Sequence, residues 1–162
     1  MTALLRLFLD IALFRKGPQD VPDYPILFAL TLLADFTIST VVGVLEGDAL
    51  GAILQAAVAS GLLLGFVAII LWVTSHLERF RKTATAVLGC DALITLVALP
   101  VSLLSDVISG LSLLIIGILF WNLLVFAHIL KHALAIGYAL SVALALIYTL
   151  TSLDLMARLF SV

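Results

Sequence analysis

Two long intervals without a basic residue set the pattern of this chain. No Lys or Arg occurs between Lys16 and Arg79, or between Lys82 and Lys131, and both intervals are mainly apolar. A helix needs about 20 apolar residues to cross the hydrocarbon core of a bilayer. Five stretches meet this length: Tyr24–Leu45, Leu50–Thr74, Thr85–Leu104, Val107–Leu130 and Ala133–Leu155. Because a backbone in lipid must satisfy its own hydrogen bonds, we predict a transmembrane helix over each.

Residues 1–15 show a different pattern. Arg6 and Asp10 lie one helical turn apart, and the apolar side chains fall mainly on another side of the same helix: Leu4, Leu5, Phe8, Ile11 and Ala12. A short helix with separate polar and apolar sides is typical of segments that lie in the membrane interface. We therefore predict an interfacial amphipathic helix before the first span.

Polar and helix-breaking residues mark the ends of the predicted spans. Asp48 and Asp106 stand where the second and fourth spans begin, and a carboxylate there accepts hydrogen bonds from free backbone N–H groups. Pro100 lies within the third span and lacks the N–H of a helix hydrogen bond, so we expect a kink. The join between the last two spans falls around Lys131–His132.

The composition changes the picture only by excluding a soluble fold. Hydrophobic residues make up 64% of the 162 residues and charged residues 11%, whereas soluble domains are about half apolar and about one quarter charged. The length allows one helical bundle and no second domain. The sequence therefore predicts an all-α, polytopic transmembrane bundle that forms a single membrane domain over residues 1–162.

The basic residues also predict an orientation. Only Arg158 falls on the side of the membrane opposite the N-terminus. The other seven share the N-terminal side: Arg6, Arg15, Lys16, Arg79, Arg81, Lys82 and Lys131. Since short cytoplasmic loops are enriched in Lys and Arg, we expect a cytoplasmic N-terminus and a C-terminus on the opposite side. The membrane we expect is a bacterial inner membrane.

A polar stripe runs along the first span. Thr31, Asp35 and Ser39 recur every four residues, a spacing that puts them on one helix face, and Asp35 falls near the bilayer midplane. An intramembrane acid is costly, so it is a candidate for a proton or cation relay, or for contact with a polar substrate. The structural alternative is an Asp that hydrogen-bonds the first helix to its neighbours.

A second polar cluster combines Asp91 in the third span with Asn122 and His128 in the fourth. The three fall in the same half of the bilayer, so contact between them is geometrically possible. His128 and His132 could share one face toward a metal, but no clear third ligand lies at their level. We expect no metal, no cofactor and no catalytic residue.

Small residues predict close helix packing. Gly61 and Gly65 form a GxxxG pattern in the second span, and Gly137 with Ser141 repeats the spacing in the fifth. Such positions let two helix backbones approach closely. We expect packing within the bundle first and oligomerisation second.

The loop between the second and third spans contains Arg79, Arg81 and Lys82 around one aromatic residue. It could bind anionic lipid headgroups or the acidic surface of a partner. The alternative is a loop that only determines topology.

The absence of a catalytic motif in the sequence favours a non-enzymatic protein. The first hypothesis is a scaffold or accessory subunit of a larger membrane complex, with lipid and other membrane subunits, or a second copy, as partners and no role for nucleic acid. The second is a small transporter or proton- or ion-conducting unit that uses Asp35 and Asp91. The third is a lipid-interacting protein of membrane organisation.

Asp23-Tyr24-Pro25 precedes the first span. With five spans, short loops and a cytoplasmic N-terminus, this segment resembles the Yip family of small polytopic membrane proteins. The resemblance implies an integral membrane fold and a role in trafficking and membrane organisation. Because the chain lacks the long cytosolic tail of eukaryotic members, it is more similar to a minimal bacterial relative.

Overall fold

The computed structural model describes residues 2–105 and 111–160. Six α-helices lie in those ranges: α1 (Thr2–Ala12), α2 (Pro25–Glu46), α3 (Ala49–Val73), α4 (Phe80–Ser105), α5 (Leu111–Leu134) and α6 (Tyr138–Phe160). Single turns of 3-10 helix, Pro18–Asp20 and Leu77–Arg79, occupy two connections. The five helices α2 to α6 are long and apolar enough to cross a membrane. The predicted all-helical bundle is therefore confirmed.

Helix α4 lies at the centre of the bundle. It packs against α1, α2, α3 and α5, whereas α6 packs against α5 and α3. Every residue from Thr83 to Cys90 is buried. Helices α2, α4 and α6 begin at the end of the bundle where α3 and α5 finish. We call this end the basic end, because it carries four basic side chains: Arg79, Arg81, Lys82 and Lys131.

The structure tests the sequence signals at the helix ends. Asp48 caps α3 as predicted, because its carboxylate accepts a 3.0 Å hydrogen bond from the backbone N–H of Gly51. Helix α4 continues through Pro100 as one helix. The other predicted cap, Asp106, lies outside the described residues.

The predicted join around Lys131–His132 is wrong. Helix α5 continues to Leu134, and the chain turns at Ala135, whose φ is 54°. Long cationic side chains can stay within a helix near a membrane surface because the charged head reaches outward. Here the Lys131 ammonium lies 5.7 Å from the centroid of the Tyr138 ring. The last two helices are thus displaced toward the C-terminus relative to the predicted spans.

The amphipathic helix α1 packs on protein along one side. Its buried residues are Leu7, Phe8, Ile11 and Ala12, and its neighbours are α4 and α5. Gly89 lies nine residues into α4, about 14 Å along the helix axis, and a Cβ at this position would overlap the Phe8 ring. Leu5 and other residues on the far side remain exposed. The predicted helix is present, and its buried apolar side packs against the bundle. Its position in the membrane interface stays a prediction.

Candidate functional site

A polar layer crosses the middle of the bundle. It receives one side chain from each long helix: Asp35, Ser60, Asp91, Asn122 and Tyr148, from α2 to α6 in order. Each lies ten to thirteen residues from the end of its helix at the basic end, which corresponds to about 15–20 Å. All five line one cavity of about 100 Å³. That volume suffices for several water molecules or a small hydrated cation.

Asp35 is the most enclosed acid of this layer. It is 3% exposed, and its Oδ2 accepts a 3.2 Å hydrogen bond from the hydroxyl of Ser60 on α3. Its other oxygen, Oδ1, has no hydrogen-bond donor among the described residues. A buried carboxyl oxygen without a donor is unusual in folded proteins and needs a proton, a water or an ion to satisfy it.

Asp91 of α4 connects the polar layer to α5 and lies at the same cavity as Asp35. Its Oδ1 accepts a 2.8 Å hydrogen bond from the side-chain amide of Asn122. The carboxyl groups of Asp35 and Asp91 line the same cavity and lie close enough to interact electrostatically. Ionised carboxylates repel each other, so a proton or a cation is needed to neutralise this pair. No Lys or Arg of the described chain lines this cavity.

Three aromatic rings cluster on the basic side of the layer. The rings of Phe66 and Tyr148 lie 4.9 Å apart between centroids, and those of Phe126 and Tyr148 lie 5.1 Å apart. Phe66 and Phe126 are nearer the basic end of their helices than the polar layer is. Together the three rings form an aromatic cluster beside the layer on that side.

On the opposite side the polar surface continues. Ser39, one turn beyond Asp35, lines both the central cavity and a second cavity of about 240 Å³. This second cavity is also lined by Gln55 of α3 and Thr95 of α4, and both lie nearer the opposite end than the layer does. The layer therefore has polar neighbours toward one end and aromatic neighbours toward the other.

The predicted stripe on α2 divides into two parts. Asp35 and Ser39 reach the cavity, but Thr31 does not line it. The Thr31 hydroxyl is buried and donates within its own helix, to the carbonyls of Leu27 and Phe28 at 3.0 Å each. Thr31 consequently has a local structural role.

The predicted cluster of Asp91, Asn122 and His128 is wrong in its third member. His128 lies six residues beyond Asn122, closer to the basic end. Its Nε2 is 3.0 Å from the carbonyl of Lys16, and its ring packs against His132 at 4.3 Å between centroids. His128 therefore holds the segment after α1 against α5. Within residues 2–105 and 111–160, no three His, Cys, Asp or Glu side chains gather as metal ligands would.

The expectation that Gly61 and Gly65 pack within the bundle is wrong. A Cβ at either position would meet no atom within 4 Å, because this part of α3 borders a wide apolar groove beside α6. Gly137 is equally open and precedes α6. Ser141 is fully buried as expected, and its hydroxyl donates to the Tyr138 carbonyl at 2.8 Å.

Close helix approach occurs at other glycines. A Cβ on Gly43 of α2 would come within 2.9 Å of the Ala52 side chain on α3. Gly89 receives Phe8 in the same way. Gly89 belongs to no GxxxG pattern, whereas Gly43 forms one with Gly47, so this spacing alone does not tell which glycines receive a neighbouring helix.

The three basic residues of the predicted loop separate in the structure. The Arg81 guanidinium pairs with the Asp23 carboxylate at 3.0 Å. Arg79 donates from Nη1 to the carbonyl of Ala133 at 3.0 Å. Lys82 lines a pocket at the basic end together with Arg79.

Sequence reasoning missed Ser60 and Tyr148. Ser60 stands within an apolar run beside Gly61, and no pattern in the sequence marks it. Counting residues from each helix end would have placed both at the depth of Asp35. Depth alone, however, does not give the side of the helix that faces inward.

Comparison of the chain with models of known protein families, with curated proteins and with solved structures gave no match. The resemblance to the Yip family thus rests on the segment Asp23–Pro25 and the architecture of the chain.

Proposed function

We propose that this protein binds and conducts a proton or a small monovalent cation at its polar layer. The observation that carries the proposal is that Asp35 and Asp91 line one cavity in the middle of the bundle, without a basic partner in the described residues. Ionisable residues within membrane spans typically pair or mark ion and proton pathways. The function is non-enzymatic.

The surroundings of the pair support an ion path that is polar on one side of the acids and aromatic on the other. From the opposite end, Ser39, Gln55 and Thr95 provide polar groups toward the acids. On the basic side, an ion would have to pass the aromatic cluster of Phe66, Phe126 and Tyr148. We infer that movement of Tyr148, which contacts both other rings, controls that step.

Ion flux into proteoliposomes tests the proposal. With a potassium diffusion potential across the vesicle membrane, a pH-sensitive or sodium-sensitive dye reports entry of the ion. We expect flux in the wild type and its loss in both Asp35→Asn and Asp91→Asn. Thr31→Val is the matched control, since its hydroxyl is satisfied within α2, and it should retain flux.

Two outcomes would overturn the proposal. Wild-type flux equal to that of empty liposomes for both ions is one of them. The other is flux that persists in both Asn variants, because it would not pass the acid pair. Circular dichroism of each variant confirms that the helices are intact.

A second candidate function is the scaffold or accessory subunit favoured by the sequence. It is supported by Gly61 and Gly65, which border an apolar groove of about 580 Å³. A Cβ at either glycine would meet no atom of the described chain within 4 Å. Small residues on an unpacked helix face favour association with another helix. We propose a second copy or another membrane subunit as the partner.

Native mass determination after mild detergent extraction tests this candidate. Association that is present in the wild type should be lost in Gly61→Leu and retained in Gly117→Leu, another open glycine. A wild-type monomer without an accompanying protein would exclude it.

We propose further that the bundle lies in a bacterial inner membrane with its basic end toward the cytoplasm.

A further inference from the structure

A pocket at the basic end combines residues from three parts of the chain. The 3-10 turn after α1, the start of α4 and the end of α5 enclose a volume of about 390 Å³. This is within the range of about 300–1,000 Å³ that is usual for small-ligand sites. Its lining consists of Pro18, Gln19, Arg79, Lys82, Thr83, His132 and Ala133.

Three nitrogen-bearing side chains lie together in this lining: Arg79, Lys82 and His132. Arg79 is held by the bond from its Nη1 to Ala133, so its guanidinium is preorganised at the wall. Lys82 has no hydrogen-bond or ion-pair partner in the described part of the chain. His132 is held in place by the bond from its Nδ1 to the carbonyl of His128 at 2.9 Å.

No acidic residue lines this pocket in the described part of the chain, although one pairs with Arg79 from outside it. Asp20 accepts a 3.0 Å hydrogen bond from the backbone N–H of Gly17, and Asp23 pairs with Arg81. Glu78 lies 3.6 Å from Nε of Arg79 but is largely exposed and does not line the pocket. In the described residues, the pocket wall is therefore cationic without an acidic side chain.

We propose that this pocket binds a phosphate-bearing anion, with Arg79 and Lys82 as its principal contacts. Arg presents a planar set of donors that matches phosphate oxygens, and Lys adds a mobile point charge. Basic pockets between transmembrane helices are suited to anionic lipid headgroups. A free phosphate compound offers the same chemistry, and the experiment separates the two sources.

The test is native mass spectrometry of the full-length protein in mild detergent with added phosphatidylglycerol or phosphatidylcholine. We expect retention of phosphatidylglycerol and little retention of phosphatidylcholine. Lys82→Gln should weaken binding roughly fivefold, the effect of one Lys near an anionic surface. Lys82 is the variant of choice because Arg79 also bonds to Ala133 at the end of α5.

Arg81→Gln is the matched control. It removes the same charge from the same helix start, but Arg81 is bound to Asp23 away from the pocket. If the lipid binds in the pocket, Lys82→Gln should clearly reduce the retention of phosphatidylglycerol, and Arg81→Gln should reduce it less. Equal losses would indicate general surface attraction and overturn the proposal, as would unchanged binding in Lys82→Gln.

Inorganic phosphate identifies the source of the anion. Millimolar phosphate is added to the wild-type protein with bound lipid, and chloride at the same ionic strength serves as the control. Release of the lipid by phosphate but not by chloride assigns the pocket to free phosphate compounds. Retention of the lipid in phosphate assigns it to the headgroup. Failure of this test leaves the ion flux at the polar layer unaffected, because the two sites share no residue.

Discussion

The ring of Phe8 occupies the space that a Cβ on Gly89 would need. Phe8 is 6% exposed, so the ring has little room to move aside. This contact helps to seat helix α1 on α4 near the level of the polar layer, one residue before Cys90.

Gly89→Ala should therefore destabilise the protein. Forcing a methyl group into a packed site costs about 1–3 kcal/mol, which outweighs the gain in helix propensity from Gly to Ala of up to about 1 kcal/mol. Thermal unfolding in detergent measures the change. Gly117→Ala, at an open position of α5, should be neutral or slightly stabilising. Equal effects at the two positions would contradict the seating of Phe8.

The sole cysteine reports on the same contact by its reactivity. Cys90 is 1% exposed, and its thiol lies 3.6 Å from the carbonyl of Phe8. We expect slow labelling by a small maleimide in the wild type and labelling several-fold faster in Phe8→Ala, because loss of the ring that packs on Gly89 weakens the docking of α1, whose backbone contacts the thiol. Leu5→Ala changes an exposed residue of α1 and should leave the rate as it is. Fast labelling of the wild type would show that α1 does not cover Cys90.

The bond between Asn122 and Asp91 predicts an asymmetric response to truncation. Asn122→Ala leaves a buried acceptor without its donor and should cost about 1–3 kcal/mol of unfolding free energy. Adding Asp91→Ala removes that acceptor, so the double variant should be at least as stable as Asn122→Ala alone. Denaturation of the four proteins completes the cycle. If the losses of unfolding free energy in the two single variants add up to the loss in the double variant, the two residues do not interact.

Asp48 gives a prediction at the opposite end of the bundle. Removing an N-cap carboxylate costs about 0.5–2 kcal/mol, and we expect Asp48→Ala to lower the melting temperature accordingly. Asp154→Ala is its control, since Asp154 pairs with Arg158 at 2.8 Å on an exposed face. Exposed pairs contribute about 0–1 kcal/mol. A larger loss from Asp154→Ala than from Asp48→Ala would contradict the cap.

The sequence by itself determined the elements. Length and hydropathy predicted five spans because a lipid environment imposes the same requirement on every helix, whatever its neighbours. The cap at Asp48 was equally predictable, since it depends on a backbone N–H three residues away. The last join was misplaced because Lys131 and His132 are polar and yet remain helical at the end of α5.

Only the tertiary structure decided which residues meet. Asp35 and Asp91 are far apart in the chain, and Ser60 and Tyr148 looked unremarkable in their apolar runs. Their contact depends on the rotation of each helix about its axis, which packing with all neighbours sets together. The same reason explains why Gly61 and Gly65 remained open while Gly43 and Gly89 formed the close contacts. Hydrophobic pattern fixes that a helix spans the membrane, whereas the packed bundle fixes which side of it faces inward.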